Sequence, residues 1–87
     1  MAQIDPALLK ALNEIRISIV LIDRIKICDA FYELEDTVSL SGLELRLLKF
    51  SDDRIYLKDD ESGVIYKIVV NFRGEVTSVK PLLGKQG

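Results

Sequence analysis

The sequence predicts a single α+β domain over residues 1–87, with a long N-terminal helix packed on a three- to four-stranded antiparallel β-meander. Three observations carry that expectation. Leu8, Leu12, Ile15, Ile19 and Ile22 recur at spacings of four and three, which sets them on one helical stripe. No Gly or Pro interrupts residues 7–41, so no strong breaker stops a helix there. Beyond residue 42, short apolar runs alternate with turns rich in Gly, Asp and Ser, the punctuation of hairpins.

The helix is expected over about residues 5–35. Asp5 is an N-cap type, and Pro6 fits the first helical position, where its missing N–H is no loss. After Asp23 the stripe rotates. Leu21, Ile25, Cys28 and Tyr32 continue at helical spacing on nearly the opposite side. A competing reading fits the same stretch. Ile15, Ile17, Ile19 and Leu21 also alternate, and Ile and Val prefer strands because branching at Cβ costs rotamer freedom in a helix. A helix over 6–13 would then give way to a strand over 14–22. The continuous helix is favoured because Ile19 and Ile22 keep the phase that Leu8, Leu12 and Ile15 set.

Strands are expected at about 43–50, 54–58, 64–72 and 75–80. Ser51-Asp52-Asp53, Asp59–Gly63 and Arg73-Gly74 are the turns between them. Val64–Phe72 is β-branched and apolar on both parities, which marks a central strand. Pro81 stops the last strand. Connections this short imply antiparallel pairing.

Composition excludes whole classes of function. At 48% hydrophobic and 30% charged, the chain lies far from the disordered regime. It has no His and one Cys, so Ser–His–Asp and Cys–His sites and a zinc cage cannot be built within it. No internal disulfide is possible, Met1–Pro6 has no basic signal-peptide start, and no stretch reaches the roughly 20 apolar residues of a membrane helix. The expected compartment is the cytoplasm. Two Asn, two Gln and one Met beside many charged residues match the composition reported for hyperthermophile proteins. Asp59, Asp60, Glu61 and Gly63 lack the ligand spacing of a calcium loop and read as an acidic turn. No enzyme, cofactor, metal or small-molecule substrate is expected.

Binding is what remains. A helix of about 28–30 residues would be about 42–45 Å long and would overhang a domain with a radius of gyration near 12 Å. Its two apolar sides cannot both be covered by one small sheet. The expectation is therefore a non-catalytic protein-interaction module, a homodimer or small accessory subunit of a larger cytoplasmic complex. It would dock through Leu8, Leu12, Ile15, Ile19 and Ile22, or through Leu21, Ile25, Cys28 and Tyr32. Cys28 itself reads as a small buried hydrophobe. The alternative is a nucleic-acid-binding module. If Ile55, Leu57, Val64, Ile68, Val70 and Phe72 face the helix, the opposite parity gathers Arg46, Arg54, Tyr56, Lys58, Lys67 and Lys80. A basic face around an aromatic is what single-strand binders use.

Overall fold

The computed structural model describes residues 5–21 and 23–82, with the backbone alone at Leu21. The fold is mostly β, which corrects the expected α+β architecture: one short helix accompanies two antiparallel sheets. The helix α1 is Pro6–Glu14. Strands β1 (Ile17–Leu21), β2 (Arg24–Ile27) and β3 (Ala30–Tyr32) form a three-stranded sheet in that order. Strands β4 (Thr37–Leu40), β5 (Leu43–Ser51), β6 (Arg54–Asp59), β7 (Val64–Val70) and β8 (Val76–Leu82) form a five-stranded meander.

The helix begins as expected. The Asp5 carboxylate accepts a hydrogen bond from the Ala7 amide at 2.9 Å, and Pro6 opens the first turn. It then ends after nine residues, because Ile15 is already extended at φ −80° and ψ 159°. From there burial follows period two: Ile15 and Ile17 are buried while Arg16, Ser18 and Val20 are exposed. Ile15 and Ile19 satisfy both periods, and the β-branched run resolves in favour of the strand. The rotation of the stripe at Asp23 is a chain reversal: β1 and β2 pair across it, Ile19 opposite Ile25 and Leu21 opposite Arg24. A second reversal at Cys28-Asp29 pairs Ile27 with Ala30. Cys28 holds φ 58° in that turn and is exposed, so it is not the buried hydrophobe expected of it.

β5 to β8 lie close to the four expected strands, with three differences. β4 precedes them, joined by the two-residue turn Ser41-Gly42, in which both residues have positive φ. That is the backbone a twisted hairpin needs. β7 stops at Val70, so Phe72 lies in the following turn and is 93% exposed rather than facing the core. β8 runs through Pro81, which pairs with Tyr66 on an edge strand, the place where a missing N–H is tolerated.

Helix α1 packs on both β8 and β4, the two edges of the meander. A flat five-stranded sheet would be about 19 Å wide, while the helix is only about 13 Å long. The sheet therefore curls, and the helix lies across its open side. Leu8 and Leu12, one turn apart and both fully buried, supply the contact. Ile17, Ile25 and Ile27 of the small sheet enter the same core as Leu45, Leu57 and Tyr66 of the large one. Burial raises the Tyr66 phenol above its ordinary value, and the Asp59 and Asp5 carboxylates add to the effect.

The two sheets are tied at two places. At one, the Ile17 amide donates to the Gly74 carbonyl at 2.9 Å, and Arg16 bridges Glu75. At the other, Glu35 N donates to the Leu47 carbonyl and Leu47 N to the Asp36 carbonyl. Both ends of the small sheet's chain path are thereby fixed to the meander by backbone bonds.

Candidate functional site

The outer face of the meander follows from its register. Strands β6 and β7 alternate strictly between buried and less buried positions, so every second side chain leaves the core. Three rows run across β5, β6, β7 and β8. The first is Arg46, Lys58, Ile65 and Leu82; the second is Lys49, Tyr56, Lys67 and Lys80; the third is Ser51, Arg54, Val69 and Ser78. At about 4.8 Å per strand the middle row is about 14 Å wide. It sets three lysines around one tyrosine. The face therefore collects Arg46, Arg54, Tyr56, Lys58, Lys67 and Lys80, the set that strand parity alone places together.

Charge is unevenly available on this face. Arg46 is held in a bidentate pair with Asp60, Nη2 to Oδ1 at 3.0 Å and Nε to Oδ2 at 3.1 Å. Its Nη1 also donates to Glu35 Oε1 at 2.8 Å. These hydrogen bonds push the guanidinium pKa further up and hold the Asp60 carboxyl below its ordinary value. Lys58 Nζ lies 3.8 Å from the same Asp60, and Arg54 Nε 3.8 Å from Asp53. Arg46 is thus a clamp between the β3–β4 connection and the β6–β7 turn, with its charge already matched. Among the described residues, no carboxylate lies within 4.0 Å of Lys49, Lys67 or Lys80. The overall charge of −2 conceals a local group of three cations. On strand spacing Lys67 lies about 10 Å from Lys49 and about 5 Å from Lys80, within the roughly 8–10 Å screening length, so an anion over Lys67 feels all three.

The clamp has a consequence for acid stability. Asp60 has a lower pKa folded than unfolded, so folding is favoured while it is charged. That gain is complete above its ordinary value of 3.8 and is lost as pH falls through the lowered folded value. Melting temperatures of wild type and Asp60→Asn, followed from pH 7 to pH 2, are expected to differ most at neutral pH and to converge in acid. Parallel curves would mean that the clamp adds nothing.

Lys49 is the residue that sequence reasoning misses. Strict alternation from Arg46 places Leu48 outward and Lys49 inward. The register shifts between Leu47 and Lys49, a β-bulge that returns Lys49 to the outer face. The signal is the apolar doublet Leu47-Leu48 in an otherwise alternating strand. Lys49 Nζ lies 5.1 Å from the centroid of the Tyr56 ring.

The residues expected to form a docking stripe do not share one surface. Leu8, Leu12, Ile15 and Ile25 are buried in the chain's own core, and Ile19 and Tyr32 are half-buried against it. Cys28 is exposed in its turn. Ile22 and the side chain of Leu21 lie outside the described residues. The stripe requires one long helix, and the chain instead forms a short helix followed by a hairpin. Among the described residues, exposed large apolar residues lie elsewhere: Phe72, then Phe31, Val20 and Leu34 on or beside the small sheet, and Leu82 at the end of β8.

Asp59, the buried carboxylate at the end of β6, accepts from Glu61 N and from Ser62 Oγ, both at 3.0 Å. It braces the β6–β7 turn. No described helix is long and apolar enough to cross a membrane. No protein-family model matches the chain, and no curated protein or solved structure matches it.

Proposed function

We propose that the chain is a non-catalytic binding module that holds single-stranded nucleic acid on the outer face of its meander. The observation that carries this reading is the row Lys49–Tyr56–Lys67–Lys80, with no carboxylate within 4.0 Å of its lysines among the described residues. The half-buried Tyr56 offers a ring, and its flanking ammonium groups offer phosphate contacts. Lys49 over that ring contributes about 0.5–1 kcal/mol at an exposed site. A base stacked there contributes about 1–3 kcal/mol. Stacking therefore wins, and Lys49 moves from the ring to a neighbouring phosphate. The single thiol suits a cytoplasmic setting.

The protein-interaction reading survives on different residues. Its helix stripe is consumed by the core, but Phe31 at 55% and Val20 at 49% exposure leave apolar surface on the small sheet. With Leu34 at 49% beside them, these are the scattered exposed apolar side chains common on folded proteins, so this reading ranks second.

The test is fluorescence anisotropy of a labelled octanucleotide at about 50 mM salt. Wild type is expected to bind, and Lys67→Glu is expected to weaken binding at least tenfold, since it both removes a contact and adds a repulsion. Lys67 is outside the core, so the variant keeps its melting temperature. Absence of binding by wild type, or equal binding by Lys67→Glu, would remove the proposal.

A further inference from the structure

Phe72 is 93% exposed, which leaves an aromatic side chain in water unless something covers it. The turn that carries it is braced through its neighbours. Asn71 Oδ1 accepts from Arg73 N at 2.9 Å and from Glu75 N at 3.0 Å. Gly74 N donates to the Asn71 carbonyl, and the Gly74 carbonyl accepts from Ile17. A ring on so fixed a turn can be covered without the entropy cost of ordering a loop. The Arg73 guanidinium carbon sits 5.5 Å from the ring centroid. Beside the ring is a cleft of about 360 Å³ whose lining includes Ser18, Ile19, Asp52, Asn71 and Phe72.

The turn lies past the end of β7, beyond the last row of the candidate face. Phe72 follows Lys67 by five residues, in the turn after β7, and is at most about 17 Å from it at strand rise. Arg54 and Val69 form the row between. Resting on the nucleic-acid reading above, we infer that Phe72 and its cleft are a second base site for the same strand. The strand runs from Tyr56 past Arg54 to the β7–β8 turn, with one base stacked on each ring. Arg73 meets a phosphate there. The Asp52 carboxylate repels phosphate, so it faces the base edge, where it can only accept a hydrogen bond. It therefore favours a base carrying an exocyclic amine, such as cytosine, over thymine, whose single N3–H donor is flanked by two carbonyl oxygens that repel the carboxylate.

The experiment compares labelled octamers of deoxycytidine and of deoxythymidine by anisotropy at about 50 mM salt. The proteins are wild type, Tyr56→Leu, Phe72→Ala and Asp52→Asn. An octamer lies within the roughly 4–16 nucleotides that small barrels cover. Phe72→Ala is expected to weaken the deoxycytidine octamer about tenfold at unchanged melting temperature. Asp52→Asn is expected to bring the two octamers within about twofold of each other. Wild-type binding that Tyr56→Leu weakens and Phe72→Ala leaves unchanged would overturn the second site while the outer-face reading stands. No binding by wild type would overturn both.

Discussion

Gly74→Ala is expected to destabilise the chain by about 3 kcal/mol and to lower its melting temperature by about 15 °C. Two effects add. Gly74 has φ 81°, a conformation that costs a residue with a Cβ about 1–2 kcal/mol. A Cβ added there would lie 2.6 Å from the Ile17 carbonyl oxygen, so β1 must move. That movement strains the hydrogen bond from Ile17 N to the Gly74 carbonyl, which joins the two sheets. Loss of a buried backbone bond costs about 1–3 kcal/mol. The controls are Gly42→Ala and Gly63→Ala. Both positions have φ 79°, but a Cβ added at either would meet nothing within 4 Å. Each is therefore expected to cost only the conformational part, about 1–2 kcal/mol. Thermal and urea melts of the three variants read the difference. Equal losses at all three positions would mean that the joint between the sheets is not tight.

Leu12→Ala is expected to cost about 2–5 kcal/mol, with Lys10→Ala near zero. Leu12 is fully buried where α1 crosses the open side of the curled sheet, whereas Lys10 is exposed. A chain of this size has only about 4–13 kcal/mol of stability in total, so Leu12→Asp is expected not to fold. A helix that presented Leu12 to a partner would behave differently. Leu12→Ala would then change association and leave the monomer's unfolding free energy nearly intact. Urea unfolding at two protein concentrations separates the cases.

Legibility varies along the chain for identifiable reasons. The start of α1 is readable because Asp5 and Pro6 act within one turn, and the Asp5 cap is formed. Its end is not. Ile15 and Ile19 fit both the helical and the strand period, and the choice rests on whether β1 finds a partner in β2. The rotation of the apolar stripe at Asp23 marks a hairpin, yet in one dimension it looks the same as a change of helix face. The expected docking stripe fails with the long helix, since Leu8, Leu12 and Ile25 all face one core. From Leu43 onward, local turn chemistry decides the pairing, so Tyr56 and Lys67 fall on one face as strand parity predicts. The register shift beyond Leu47 depends on two strands at once, which is why Lys49 is lost to a reading of one strand. Phe72 is misplaced by counting alternation two residues past the end of β7.

The proposed contact is between the outer face of the meander and a polyanion, through Lys49, Lys67 and Lys80. The most direct measurement is the dissociation constant of a single-stranded octamer from about 50 to 300 mM salt. The three lysine contacts on a single strand contribute about −2 to the slope of log affinity against log salt, and Arg73 at the second site adds about −0.7; the slope falls in magnitude by about 0.7 in Lys67→Ala. Affinity that does not change with salt, or a slope that Lys67→Ala leaves unaltered, would contradict the account.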